Sequence, residues 1–159
     1  MKTGVLFALM SFCLFMSSCG GSKSENNRAD YSNQLMEMIH MSQDDFNDLE
    51  SALESGDYGK AEQAWVAWVA YLDKTLNEVS EMGDFKGDSS LKDISIKRLT
   101  NFKDAAQDYE KLISLHMATN NEEVLDSNIE TEILNSIQNK MNGLDYELNE
   151  VLFNFRSSL

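Results

Sequence analysis

The chain has 159 residues, with 27 acidic against 13 basic side chains, two cysteines and no proline. That length fits one domain and excludes a large multidomain enzyme, while a formal charge of −14 excludes surface recognition of nucleic acid or anionic headgroups, which requires a basic patch. Average proline usage of about 5% would put roughly eight in such a chain, so their absence points to long uninterrupted helices rather than a turn-rich strand fold.

Lys2 precedes an apolar run from Gly4 to Met16, a signal-peptide core too short to span a bilayer comfortably. The run ends in Met16-Ser17-Ser18-Cys19-Gly20-Gly21, which resembles a bacterial lipobox, with two small residues before the cysteine and an apolar one at −3. Residues 1–18 are then a cleaved lipoprotein signal peptide and Cys19 the lipidated first residue of the mature chain. Its thiol takes diacylglycerol, and the amino group freed by cleavage can be acylated in turn. Several acyl chains make a durable anchor, since a buried methylene contributes about 0.8 kcal/mol and one chain holds only marginally. The competing reading is an ordinary secretory signal with a chance cysteine.

Processing changes the arithmetic. Cys13 leaves with the signal and Cys19 carries lipid, so no disulfide framework is expected. The removed segment contains Lys2 and no acid, so 13 bases against 27 acids become 12 against 27, and the formal charge moves from −14 to −15. Gly20 rather than aspartate follows the cysteine; by resemblance to lipoprotein sorting, this implies the bacterial outer membrane, with the domain facing the periplasm or the cell surface. Residues 19–28 are polar and rich in glycine and serine, a lipidated flexible tether. Its span is on the order of 15–18 Å.

Residues 29–159 carry four amphipathic segments. In the first, Tyr31, Leu35, Met38, Ile39, Phe46, Leu49 and Leu53 follow the three- and four-residue steps of a helix packed on a core, with Asp30 as a candidate N-cap. Gly56 ends it and Asp57 caps the next, making a short turn between antiparallel neighbours. The second segment carries Ala61, Ala64, Trp65, Trp68, Val69, Leu72, Leu76, Val79 and Met82, and its continuous apolar stretch predicts the most buried helix. Gly56 to Ala61 has the look of a tetratricopeptide turn, but no 34-residue recurrence accompanies it. A loop spans Gly83 to Ser89, after which Ser90 and Asp93 approximate a capping box. The third core face is Leu91, Ile94, Leu99, Phe102, Ala106, Tyr109 and Ile113. After the polar break Thr119-Asn120-Asn121, the fourth segment runs from Ile129 to Phe155 through Ile133, Ile137, Met141, Leu144, Leu148, Val151 and Leu152. Its stripe keeps phase across Gly143, which predicts one helix weakened by about 1 kcal/mol rather than a turn. The fold expected is all-α, an up-down-up-down antiparallel four-helix bundle.

Candidate chemistry is sparse. Met36 and His40 lie on one helical face and offer soft ligands suited to copper; the competing reading places them at the border of the core. Glu37-x-x-His40 matches half of a di-iron signature, but the only other histidine, His116, lacks the matching glutamate. Asp84 to Ser95 departs from a calcium loop at its third, sixth and last positions. No phosphate-cradling glycine loop, nucleophile elbow or haem-attachment motif occurs. No enzyme activity, cofactor, metal site or nucleic-acid partner is therefore expected.

Charge is unevenly placed. Residues 30–59 contain eight acids and no base, residues 122–156 eight acids and two bases, and residues 91–112 five bases against four acids. Adjacent first and fourth helices would form an acidic wall suited to a basic protein partner; the competing reading is a solubilising surface. Trp65 and Trp68 fit core packing better than an exposed patch.

The lipobox, the Ala29-Asp30-Tyr31 entry, the block Phe85-Lys86-Gly87-Asp88-Ser89-Ser90-Leu91-Lys92 and Phe102-Lys103 together resemble an uncharacterised family of bacterial surface lipoproteins. That family is named from a spirochaete surface protein and is also found in other Gram-negative bacteria. The likeness covers most of Ala29 to Leu115, and the C-terminal Phe153-Asn154-Phe155-Arg156 departs from the family's basic ending. It implies a helical surface or periplasmic lipoprotein without established activity, and carries over only Cys19. Two readings follow. The first is a lipid-anchored envelope protein, held to the membrane through Cys19, that acts as a non-enzymatic interaction or structural module through an acidic helical face. The alternative is a bundle that binds metal, haem or a small apolar ligand.

Overall fold

A computed structural model describes residues 27–119, 127–142 and 144–157. Its helices are α1 (Arg28–Glu54), α2 (Tyr58–Glu81), α3 (Ser90–Thr119), α4 (Ser127–Met141) and α5 (Leu144–Ser157). Among the described residues there is no strand beyond a single Phe85–Asp88 bridge, and no helix is long and apolar enough to cross a membrane.

Cross-helix bonds give the directions. The Tyr31 hydroxyl, at the start of α1, donates to the Gly83 carbonyl just past α2, and Tyr71 donates to Met38. Lys92 at the start of α3 donates to Met82, and the Trp65 indole donates to Ala106 at 2.7 Å. His116 near the end of α3 meets Glu130 near the start of α4, whereas Lys97 meets Glu147 of α5. Successive rods are thus antiparallel, and α5 returns to pack on both α3 and α1. The bundle is all-α and up-down-up-down, with its fourth rod built from α4 and α5.

The expected core is present. Leu91, Ile94, Leu99, Phe102, Ala106, Tyr109 and Ile113 are all buried, as are Tyr31, Leu35, Ile39 and Leu49 of α1. Trp68 is fully buried, with Phe46, Phe102 and Tyr109 ring centroids 5.0–6.3 Å away. At these separations tilted and edge-on aromatic contacts add to area burial.

Five expectations need correction. The fourth segment is two helices: α4 ends at Met141, Asn142 is a bend, and α5 begins at Leu144, with Gly143 itself outside the described residues. Apolar phase alone did not reveal the break, because both halves still face α3. Ile129, placed in the core by that phase, is 46% exposed. The most buried helix is α3 rather than α2, since α3 touches every other helix, while Val66 inside the apolar stretch of α2 is exposed. The N-cap of α1 is Asn27, whose side chain accepts from Ala29 N–H at 2.9 Å, rather than Asp30. In place of a Ser90–Asp93 box, the polar start of α3 is shifted by one residue: Ser89 donates to the Asp93 carboxylate at 2.6 Å, while Asp88 accepts from the Ser90 N–H and hydroxyl.

Asp57 caps α2 as expected, accepting from Lys60 N–H, and Gly56 takes φ 72°, the left-handed conformation that closes a helix with least cost in glycine. Between α2 and α3, Lys86 (φ 53°) and Gly87 (φ 85°) form a tight turn closed by reciprocal Phe85–Asp88 backbone bonds. This turn drives Phe85 into the core, 5.6 Å from Tyr31 and 5.5 Å from Phe155. The Arg28 guanidinium lies over both phenylalanine rings and donates to the Phe155 carbonyl at 2.8 Å.

Candidate functional site

Cys19 lies outside the described residues. Met36 is half-buried against the core and His40 is exposed one turn later. The two histidines are far apart: the His40 level of α1 sits beside Tyr71 through the Tyr71–Met38 bond, whereas the His116 ring stacks on Tyr58 at 4.6 Å. Thirteen residues of α2 between those levels correspond to roughly 20 Å of helix. Among the described residues no group of three or more His, Cys, Asp or Glu is placed to hold a metal. In the loop that resembled a calcium site, Asp84 pairs with Lys92, Asp88 with Arg28 and Ser90, and Asp93 with Ser89. Its acids are committed to the turn and the start of α3.

The acids divide sharply by helix. On the fourth rod, Asp145 meets Arg98 and Glu147 meets Lys97, so the bases of α3 neutralise part of what was expected to be one side of an acidic wall, and Glu130 meets the His116 ring. Asp108 of α3, nearly buried, accepts from Lys111, Ser136 and Lys140. Burial alone would raise its pKa; the three hydrogen bonds together outweigh burial and hold the carboxyl well below the usual range.

Helix α1 is different. Asp30, Glu37, Asp44, Asp45, Asp48, Glu50 and Glu54 have no salt bridge among the described residues, where most lysines and arginines pair with other acids; Arg156 donates to Ser32 and Asn33 of α1, and Lys86 lies over the Phe85 ring. At 100° per residue, Asp30, Glu37, Asp44 and Asp48 fall within about 40° of arc and form a stripe about 27 Å long. All four are exposed. Beside the stripe, the Asp45 pKa is raised by partial burial and then by the charges of Asp48 and Asp44.

The second feature lies at the α4–α5 break, where Ser42, Gln43, Phe46, Arg98, Phe102, Met141, Asn142 and Asp145 enclose about 220 Å³. The Arg98 side chain is only 8% exposed. Its guanidinium lies 4.7 Å over the Phe102 ring and pairs through Nη1 with Asp145, whose own side chain is 72% exposed. Arg98 Nε is buried with no hydrogen-bond partner. Burial pushes the Arg98 pKa down, yet arginine keeps its charge in proteins. Sequence reasoning counted Arg98 only among the bases of its segment. The available signal was its place one turn after Ile94 and one before Phe102, a position on the apolar stripe.

No protein-family model, curated protein or solved structure matches the chain. The functional reading therefore rests on these two features: an unneutralised anionic stripe and a buried guanidinium beside a small cavity.

Proposed function

We propose that this chain is a lipid-anchored protein of the bacterial outer membrane, tethered through Cys19, that acts without catalysis as an interaction module and presents the α1 stripe to a basic protein partner. The address comes from the lipobox and from the likeness to surface lipoproteins. The observation that carries the interaction is the charge distribution: seven α1 acids without a salt bridge among the described residues, where most lysines and arginines pair with other acids. Facing carboxylates gain when a partner supplies the missing cations, and such surfaces mainly accelerate encounter and select the partner.

The test is crosslinking in intact cells from an exposed α1 position, followed by recovery of the anchored protein. Partner recovery should fall about tenfold or more when Asp30→Asn, Glu37→Gln, Asp44→Asn and Asp48→Asn are combined, and should weaken with salt. An unchanged partner set would sink the reading. Separately, Cys19→Ser should abolish labelling by a palmitate analogue; persistent labelling would remove the anchor.

The alternative, a ligand-binding bundle, draws its support from the Arg98 cavity rather than from Met36 and His40.

A further inference from the structure

Arg98 sits where the apolar stripe of α3 calls for a hydrocarbon side chain. It is 7% exposed as a residue, and among the described residues its only ionic partner is Asp145. Buried guanidinium groups are normally held through several of their donors, because each unmet donor costs a full desolvation penalty. Here Nε is unmet and the one counter-ion is a mostly solvent-exposed side chain. Beside it is a cavity of about 220 Å³ walled on its apolar side by Phe46, Phe102 and Met141, well below the 300–1,000 Å³ typical of drug-sized ligands. A buried cation, an aromatic wall and a displaceable internal carboxylate are complementary to a small amphipathic anion.

We propose that this pocket binds a small organic carboxylate with an apolar body, its carboxylate taking the place of Asp145 on Arg98 and its body resting against Phe46, Phe102 and Met141. Asp145 is then an internal competitor that covers the cation when the pocket is empty. The pocket is independent of the α1 stripe and answers to salt in the opposite sense: screening the chain's negative field helps an anion approach while weakening a basic partner.

The test is an NMR titration of the full chain with phenylacetate, benzoate and acetate, using phenylacetamide as the neutral counterpart of phenylacetate. An aromatic acid should give saturable shifts confined to residues lining the pocket, with the amide weaker by about tenfold, the scale of a hydrogen bond to a charged group. Asp145→Asn should tighten the acid several-fold and leave the amide unchanged, while Arg98→Gln should erase the acid's advantage. If Arg98→Gln does not fold, the acid-to-amide ratio in the parent and in Asp145→Asn decides. No pocket shifts with any acid, equal binding of acid and amide, or weaker acid binding in Asp145→Asn would each overturn the proposal.

Discussion

Two aspartates show how position alone reverses the consequence of one side chain. Asp108 has a lowered pKa because Lys111, Lys140 and Ser136 together overcome its burial, so its contribution is fully present above the unfolded value of about 3.9 and is lost as pH falls through that value towards the folded one. Asp45 has a raised pKa from burial and the neighbouring Asp48 and Asp44, so its charged form opposes folding and protonation relieves that opposition. Asp108→Ala should cost about 2–3 kcal/mol at neutral pH, the scale of losing a buried charged hydrogen-bonding group, with the deficit shrinking in acid. Asp45→Asn should raise the melting temperature at neutral pH and lose that advantage below about pH 3, where the parental carboxyl is also protonated. Thermal melts across that range check both signs. A third residue, Trp68, sits fully buried among three aromatic rings with its indole N–H unpartnered. Trp68→Ala should cost about 3–5 kcal/mol, and Trp68→Phe much less, because it removes the orphaned donor while keeping most of the ring. Chemical denaturation reads the difference.

At the scale of elements, what was legible depended on how local the determinants are. The Gly56-Asp57 turn and the α3 core face could be read directly, because a cap reaches three residues and a stripe repeats every turn. The Asn27 cap and the one-residue shift at Ser89 were missed among adjacent Asn, Asp and Ser side chains with nearly equal capping strength. Phe85 and the α4–α5 break were missed for another reason. The burial of Phe85 depends on Tyr31 and Phe155 converging on it from distant parts of the chain, and the break leaves the apolar phase of both halves pointing at α3. The pocket followed the break out of reach, since its walls come from α1, α3, α4 and α5. The glycines offer a clean contrast. A Cβ meets nothing within 4 Å at Gly56 or Gly83, yet only Gly56 has a positive φ. Gly56→Ala should therefore destabilise by about 1 kcal/mol, and Gly83→Ala should stabilise by about 0.4–1 kcal/mol by restricting the unfolded chain. Paired urea titrations would show the opposite shifts.

Across the whole molecule, the formal charge of −14 is concentrated by ion pairing rather than spread. With Asp145 and Glu147 of the fourth rod paired to α3 and seven α1 acids without a salt bridge among the described residues, α1 carries a disproportionate share of uncompensated repulsion. Added sodium chloride should consequently raise the melting temperature, and the response should be clearly smaller in the variant neutralised at Asp30, Glu37, Asp44 and Asp48. Equal salt responses in the two proteins would place the repulsion elsewhere. The contact of Arg28 with Phe85 and Phe155 has a topological consequence. It brings the first turn of α1 against the last turns of α5, so the helical path nearly closes on itself. Adjacent ends of this kind favour circular permutation: the chain could be joined across the Arg28–Phe155 pole and reopened at the Gly56 turn between α1 and α2, at the opposite end of the bundle, without altering any helix. A permutant of this sort would move the point of attachment relative to the α1 stripe, separating what the tether does from what the charged surface does.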